Sequence, residues 1–437
     1  TSVQSLLNTE IGIRLSNDMA LGETDFELMG MSGNNVKILL DGIPLIDRGA
    51  TKQSLSQLDV NSIERVEIVE GPMSVVYGTD ALAGVINIIT KKGDGYSEEN
   101  TWRVGARVQE ESMGKEYDFF KDKGLHNESI DLGFNHKSGL FVNGGYTRNN
   151  HGGWQGDLTG REKRWHPKDQ ALMNGMFGFQ NRNMNVWYRL DFLDEKIFGP
   201  NNGSELQPEK VSDKDFLTKR YTHQLQSDWK LDNRLDVHAA LSYQDYKRRT
   251  RTTESDLSTG EKWLSSAEAS QDITQYKAWI ARATVAWNIA PEFSVQPGVE
   301  YQWTQGEGGR IDGTPKVSDL AFFLSAEYKP WEWLSLRPGV RTFIVADYDA
   351  PIAIPSVLTK FKLTKHMDLR LSYAYGFRSP TLQELYFSFH NDNHDIDGNP
   401  DLKAEYSHNI TGSVAYRVLH SEKIHLTTTL SGFYNDF

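Results

Sequence analysis

Beyond residue 100, apolar and polar residues alternate along one segment after another, and this pattern constrains the fold more than any other feature. In 368–375, for example, leucines and tyrosines occupy every second position, and polar or small residues occupy the others. The same alternation runs through 186–192 and 235–244. A period of two is typical of a β-strand with one apolar face. Most segments reach about 9 to 11 residues, the length that a tilted strand needs to cross a bilayer.

About fifteen such segments follow one another, and their connections alternate between short and long. Short turns are predicted at 137–139, 181–183, 232–234, 290–292, 329–330 and 364–366. Long polar loops are predicted at about 110–127, 149–170, 195–217, 247–272, 304–318 and 377–403. Such a difference between the two ends is typical of an outer-membrane barrel, with short periplasmic turns and long external loops. Aromatic residues near many strand ends fit its interfacial girdles.

A soluble propeller is the main structural alternative, because its strands alternate in the same way. Propellers repeat at about 40–50 residues, and the sequence contains no repeat of that kind. It also contains no apolar run of about 18 residues, which excludes a transmembrane helix. We therefore predict a transmembrane antiparallel β-barrel over residues 96–437.

Charge and composition narrow the classes of function. The net charge of −12 argues against a nucleic-acid partner. The absence of Cys excludes disulfides, thiolate metal sites and cysteine nucleophiles. No Gly-x-Ser-x-Gly elbow occurs, which argues against a hydrolase built around one. The chain starts at Thr1 without Met and stops at Phe437 in an alternating segment, which predicts an incomplete copy of a longer precursor.

Residues 1–95 have a different pattern and are predicted to form a small α+β domain. A short helix is expected at 3–7, a strand, tight turn and strand at 36–45, and one helical turn at 59–63. Further strands are expected at 65–69 and 84–90. A charged, glycine-containing linker at 91–95 would end the domain.

Three stretches of this domain carry a specific resemblance. Residues 61–72 read NSIERVEIVEGP, residues 75–78 read VVYG, and residues 81–91 read ALAGVINIITK. Together with LDGIP at 40–44, they closely resemble the signature of the plug domain of TonB-dependent outer-membrane receptors. The glycines Gly71, Gly78 and Gly84 are interpreted as turn and packing positions.

The resemblance implies a nutrient importer in the outer membrane of a Gram-negative bacterium, energised by TonB with ExbB and ExbD. An importer of this kind is expected to be no enzyme and to have no catalytic residue and no catalytic cofactor. It implies a barrel of 22 strands, of which about 15 are present, and a TonB box that is missing here. A passive porin, a barrel-embedded hydrolase and an adhesin are the other classes considered. The plug signature argues against a porin, which has no reason for an N-terminal globular domain.

A second pair of motifs occurs near the end of the chain. Residues 377–380 read FRSP and residues 398–403 read GNPDLK, which resemble the paired FRAP and NPDL boxes of haem receptors in the same superfamily. Ser379 replaces the Ala of those receptors. The matching positions, expected to shape the seventh external loop, are Phe377, Arg378, Pro380, Asn399, Pro400, Asp401 and Leu402.

By this resemblance, a His between the boxes would bind haem iron. His394 has the matching position, His390 is the nearby competitor after an aromatic, strand-like run, and Tyr386 is a further candidate contact. Residues 1–92 contain no His for a second axial ligand; Met29 and Met31 occur in the corresponding loop, where a Met either ligates iron or simply packs. The transported ligand is therefore expected to be haem or a related metalloporphyrin, with cobalamin or a ferric siderophore as the alternative.

Two basic stretches are further candidates for recognition. Residues 149–170 mix basic and aromatic side chains, and 247–251 read KRRTR. Such loops attract propionates, catecholate siderophores, an acidic lipoprotein partner or the phosphates of lipopolysaccharide. The lipoprotein partner rests on family resemblance alone.

Overall fold

The computed structural model describes residues 3–10, 12–18, 23–28, 30–46, 55–70, 73–92, 99–267, 269–391, 394–420 and 425–436. These residues form a small α+β domain, here called the plug, and one large antiparallel sheet, here called the wall. The predicted boundary at 95/96 falls in 93–98, outside the described residues. Within the described part of the chain, no helix is both long and apolar enough to cross a membrane.

The plug contains two helices and seven strands. In chain order they are α1 Val3–Leu7, β1 Ile13–Asp18, β2 Glu23–Leu28, β3 Met31–Ser32, β4 Val36–Leu40, β5 Ile43–Pro44, β6 Ile63–Glu70, α2 Ser74–Tyr77 and β7 Gly84–Thr90. One sheet has the order β1-β2-β3 and the other β5-β4-β7-β6, with β4 and β7 parallel. The elements predicted from the sequence are all present. Apolar side chains of α1 and of both sheets form its core.

The plug hairpin consists of β4, the turn Asp41-Gly42 and β5. Both turn residues have positive φ, 51° and 81°, as a two-residue hairpin turn requires. The Asp41 carboxylate fixes the turn from inside the plug, because it accepts hydrogen bonds from the Thr90 backbone N at 3.0 Å and from Thr90 Oγ1 at 2.7 Å.

The wall is a continuous path of fifteen antiparallel strands, the number expected from the sequence. They are β8 Thr101–Glu111, β9 Leu125–Asn135, β10 Leu140–His151, β11 Lys168–Gln180, β12 Met184–Gly199, β13 Lys210–Lys230, β14 Leu235–Asp256, β16 Ile273–Ala290, β17 Phe293–Gly308, β18 Lys316–Trp331, β19 Leu334–Ala346, β20 Ile354–Lys362, β21 Met367–Arg378, β24 Glu405–His420 and β25 His425–Asp436. The remaining elements lie in the connections: β15 Lys262–Leu264, α3 Leu382–Tyr386, β22 Ser388–Asn391 and β23 His394–Asp397.

The two faces of the wall have opposite character. On β8, Trp102, Val104 and Val108 point outward and are 63–76% exposed. On β13 the inward positions are polar and buried, as at Thr222, Gln224 and Gln226. An apolar outer face and a polar inner face are the reverse of a soluble barrel and match a lipid-facing one.

The inner face of the wall contacts the plug through hydrogen bonds and packing. Thr147 Oγ1 donates to Asp59 Oδ1 at 3.0 Å, and Gln57 Nε2 donates to Glu195 Oε1 at 2.7 Å. Burial at this junction raises the pKa of Asp59. The Asp59 carboxylate also caps the 3₁₀ turn Val60–Ser62, because it accepts a hydrogen bond from the Asn61 backbone N. The plug therefore lies against the polar side of the wall.

Connection lengths alternate as predicted, although several bounds differ. The short-turn end has connections at 136–139, 181–183, 231–234, 291–292, 332–333 and 363–366, and the long-loop end has connections at 112–124, 152–167, 200–209, 257–272, 309–315, 347–353 and 379–404. The predicted loops at 195–217 and 247–272 are too long, because β12, β13 and β14 extend into them. The turn predicted at Lys329-Pro330 is at 332–333, because Pro330 lies within a β-bulge of β18. The connection 347–353 was not predicted.

Candidate functional site

Two neighbouring cavities lie at the long-loop end of the molecule. The inner cavity, about 240 Å³, lies between the plug and the wall. The outer cavity, about 410 Å³, lies farther toward the long loops. Tyr276 on β16 lines both of them, and α3 contributes Leu382 to the inner and Gln383 to the outer cavity. A solute that enters from the long-loop end therefore meets the outer cavity first.

Buried charges of the plug form one side of the inner cavity. Lys37 Nζ donates to the backbone oxygens of Tyr77 at 2.7 Å and Thr79 at 3.1 Å, which holds the segment after α2 in place. Burial lowers the pKa of Lys37 and raises the pKa of Asp80. Both groups line the cavity, so its plug side is polar but held in a fixed arrangement.

The first predicted box docks directly on this plug segment. The Ser379 backbone N donates to Thr79 Oγ1 at 2.7 Å, and the Asp80 backbone N donates to the Phe377 oxygen at 3.2 Å. Phe377 is fully buried against Val75 of α2. Arg378 and Pro380 line the inner cavity. The FRSP box thus joins the seventh long loop, 379–404, to the plug.

The second box closes the base of the same loop. The Arg378 guanidinium forms two hydrogen bonds with each of Glu384 and Glu405, at 2.8–3.1 Å. The Asn399 backbone N donates to the Glu384 oxygen at 3.0 Å, while the Asn399 side chain accepts from the Asp401 backbone N at 3.0 Å. Pro400 and Leu402 lie in this turn, and Leu402 is 39% exposed. The two boxes therefore meet through Glu384 of α3 at the base of the loop.

The described candidate iron ligands lie in different places: Met31 in the plug core, Tyr386 beside a tyrosine cluster, and the two histidines on a hairpin of the seventh long loop. Met31 is 8% exposed and packs in the plug core with Val36 and Leu28, which favours the packing interpretation of this residue. Met29 lies outside the described residues. Tyr386 packs against a cluster that contains Tyr246 and Tyr276.

His390 and His394 lie on the exposed hairpin of β22 and β23. His394 faces Asn391 across that hairpin, and its side chain is outside the described part of the chain. His390 Nδ1 is 2.5 Å from Asp395 Oδ1, and His390 Nε2 is 3.0 Å from Asp397 Oδ1. Both ring nitrogens therefore face carboxylates.

We expect His390 to titrate above the value near 6.5 of an unperturbed histidine. Hydrogen bonds to Asp395 and Asp397 raise its pKa, so its ion pairs are fully formed below about pH 6.5 and are lost as pH rises through the raised value. NMR of histidine-labelled receptor measures the midpoint. The double variant Asp395→Asn/Asp397→Asn should lower the titration midpoint of His390. An unchanged midpoint would show that the two carboxylates do not raise its pKa.

The outer cavity combines positive charge with aromatic rings. Lys214, Arg248 and Arg310 line it together with a single carboxylate, Asp272. The Arg248 guanidinium is 5.0 Å from the centre of the Phe216 ring, and that of Arg310 is 4.5 Å from the Phe389 ring. Arg310 also pairs with Asp272 at 3.4 Å.

The three cationic side chains of this outer cavity come from three separate segments. Arg248 belongs to the predicted basic stretch, but Lys214 and Arg310 were missed because they are 34 and 62 residues away from it. Backbone hydrogen bonds join loop 309–315 to the seventh long loop, from Ser388 N to the Arg310 oxygen at 3.1 Å and from Asp312 N to the Tyr386 oxygen at 2.9 Å. Cations from two strands and a loop therefore converge around one space.

Two family models match the chain, one in each part. The TonB-dependent receptor plug domain matches residues 1–85, and the TonB-dependent receptor-like β-barrel matches residues 297–437. An iron-regulated outer membrane virulence protein of Vibrio cholerae is 26% identical over 95% of this chain and 60% of its own length. The ferrienterobactin receptor of Escherichia coli is 33% identical over 21% of this chain and 14% of its own. The chain spans about 60% of the length of the first of these relatives.

Solved structures share the fold at low sequence identity. A ferric enterobactin receptor, PfeA, from Pseudomonas aeruginosa superposes with a TM-score of 0.72 at 17% identity, over 100% of this chain and 69% of that one. The copper transporter OprC gives 0.74 at 13% identity, over 99% and 70% of the two chains. The siderophore receptor PirA from Acinetobacter baumannii gives 0.71 at 15%, over 99% and 68%. At these identities the superpositions show that the overall fold is shared.

Proposed function

Because the chain belongs to the TonB-dependent receptor family, we propose that it is part of an outer-membrane receptor that imports a ferric siderophore with anionic aromatic groups. The ligand would bind in the outer cavity and pass the inner cavity and the plug. TonB, with ExbB and ExbD, would supply the energy. The import breaks no covalent bond and needs no catalytic cofactor. The outer face of the wall would contact outer-membrane lipid and lipopolysaccharide, and a surface lipoprotein is a proposed partner.

The observation that carries the proposal is the chemistry of the outer cavity. Three cationic side chains against one carboxylate favour an anion, and guanidinium groups over aromatic rings offer both charge and a flat apolar surface. A ferric catecholate has the complementary properties, namely negative charge and aromatic rings. The cavity volume of about 410 Å³ is within the range of small-molecule sites. The names of the relatives, iron-regulated protein and ferrienterobactin receptor, agree with this class.

Alanine at Arg248 or Arg310 should weaken binding of ferric enterobactin by about 10- to 100-fold, because each variant removes one charged hydrogen-bond donor. Binding to the full-length receptor is measured by quenching of tryptophan fluorescence. Arg337→Ala is the matched control, since Arg337 is an exposed arginine near the short-turn end that pairs with Glu327. Equal affinity of the Arg248 and Arg310 variants and the wild type would overturn the proposed site.

Haem is the second candidate, favoured by the two boxes that hold the loop with His394. Hemin titrated into the receptor and into a His394→Ala variant separates the two ligands. A saturable, shifted Soret band that weakens in the variant would support haem import. A titration equal to that of free hemin would exclude haem as the transported ligand. Cobalamin, the other alternative from the sequence, is tested as a competitor in the same assay.

A further inference from the structure

A third cavity lies at the short-turn end of the wall. It has a volume of about 410 Å³ and is lined by polar side chains that include Asn185, Asp228, His238 and Gln296. We call it the turn-end cavity. It lies on β12–β17, and the inner cavity also borders β16 and β17. The two cavities therefore share one side of the wall.

The strand register gives the order of the inward side chains between these cavities. From the long-loop end, β13, β14 and β16 contribute three rows: Gln224, Ser242 and Ile280; then Gln226, Ala240 and Arg282; then Asp228, His238 and Thr284. The inner cavity reaches Ile280 in the first row. The turn-end cavity begins in the third row. Ile280 and Thr284 are four residues apart, or about 13 Å along the strand.

The plug hairpin fills this interval. Gln224 Nε2 donates to the Leu40 oxygen at 3.3 Å, and Gln226 Nε2 donates to the Asp41 oxygen at 2.9 Å. Nearer the loops, Gln244 Nε2 donates to the Pro44 oxygen at 2.7 Å and its Oε1 accepts from the Ile46 backbone N at 3.0 Å. These three glutamines are at most 4% exposed. The hairpin is thus fixed to the wall through its backbone.

Apolar contact between the hairpin and this part of the wall is small. Ile43 packs against Ala240 and Ile280 in a cluster of three buried side chains. The other attachments of the turn lie within the plug, where Asp41 binds Thr90 and is 3.4 Å from Lys92 Nζ. A shift of the end of β7 is therefore passed to the turn directly, while the hydrogen bonds from the wall to the hairpin backbone are neutral and of modest net strength.

We propose that the plug hairpin is the gate of the transport route, and that Gln224, Gln226 and Gln244 are the positioning residues that hold it closed. The route runs from the inner cavity to the turn-end cavity along β13, β14 and β16. Opening requires the hairpin to leave the three glutamines, without removal of the whole plug from the wall. The inference rests on the proposed import function.

The first test removes hydrogen bonds between the wall and the hairpin, and the measurement needs no ligand. Gln226→Ala together with Gln244→Ala deletes three of the four hydrogen bonds to the hairpin. In planar bilayers, the full-length double variant should conduct ions roughly tenfold more than the wild type, because the closed state is weakened. Gln275→Ala is the matched control, since Gln275 lies on β16 outside the described cavities and its described hydrogen bond goes to Asp245 of β14 instead of the hairpin. Conductance equal to that of the control would overturn the gate.

The second test fixes the hairpin instead. Ile43→Cys with Ile280→Cys places two thiols in one packed cluster, in a chain that has no other cysteine. Oxidation should reduce uptake of ferric enterobactin more than tenfold, and a reductant should restore it. A second tether, Val75→Cys with Gly339→Cys, joins α2 to β19 where a Cβ at 339 would lie 3.0 Å from Val75 Cγ1. It should leave uptake within about twofold of the wild type.

The outcomes separate the gate from the proposed function. If both tethers block uptake, the plug moves as a whole and the local gate is wrong. If neither blocks uptake, the hairpin is not on the route. If the wild type takes up no ferric enterobactin, the proposed function fails, while the conductance of the glutamine variants still decides on the gate.

Discussion

Replacing Glu300 with alanine is expected to destabilise the receptor by about 3–5 kcal/mol, because it leaves two buried guanidinium groups without their carboxylate. Glu300 on β17 is 1% exposed. Its Oε1 accepts from Arg341 Nη2 and its Oε2 from Arg282 Nη1, each at 2.8 Å. Arg341 in turn lies against the plug, where a Cβ at Gly78 would be 3.1 Å from its Nη2. The loss should therefore loosen the junction of plug and wall.

Glu327→Ala is the matched control for this prediction. Glu327 also bridges two cations, Arg337 at 2.8 Å and Lys329 at 3.0 Å, but at a more exposed position near the short-turn end. Ion pairs of that kind contribute about 0–1 kcal/mol. The midpoint of denaturant-induced unfolding in detergent measures both variants. Equal shifts for Glu300→Ala and Glu327→Ala would contradict the importance given to burial.

Gly84→Ala should destabilise the plug by about 2–6 kcal/mol, from backbone strain and overpacking together. Gly84 has φ +151°, and an added Cβ would lie 2.3 Å from the Val69 backbone oxygen and 2.8 Å from Leu28 Cδ2. The Val69 oxygen belongs to the neighbouring strand of the plug sheet, so it has little freedom to move. Limited proteolysis of the plug within the receptor measures the loss.

Gly42→Ala provides the comparison, because it separates strain from crowding. Gly42 also has a positive φ, +81°, but nothing lies within 4 Å of an added Cβ. Its cost should be about 1 kcal/mol, the strain part alone. If the two variants are cleaved at the same rate, close packing at Gly84 is not what fixes the plug sheet.

The sequence predicted the number of strands because lipid and lumen impose opposite requirements on alternate residues. That signal ends where a strand leaves the membrane, since both faces are then in water. For this reason the alternation does not predict the outer parts of β13 and β14, and β13 begins at Lys210 inside the predicted loop 195–217. Some local signals persist in the loops. Thr381 and Glu384 form a capping box at α3, and their spacing of three residues is a sequence signal for the start of that helix.

The candidate site was only partly predictable. Each of the two boxes is contiguous in the sequence, but their contact through Glu384 depends on how the seventh long loop folds. The convergence of Lys214, Arg248 and Arg310 depends on which strands are neighbours and on how the loops fold back, neither of which is local in the sequence. The attachment of Gln224, Gln226 and Gln244 to the plug was equally invisible, because an inward glutamine looks like any other lumen-facing polar residue.

The 21 residues of β13 and the 22 of β14 have a consequence for how such a receptor diversifies. At about 3.3 Å per residue each is about 70 Å long, far more than a tilted strand needs for a hydrocarbon layer of about 30 Å. Lys214, Phe216 and Arg248 lie on the surplus length. Substitutions on this surplus length need not preserve the contacts with lipid and plug that constrain the membrane-spanning part of the wall. Under the proposed function, ligand preference can therefore evolve in this rim while the plug and the membrane-spanning part of the wall stay unchanged.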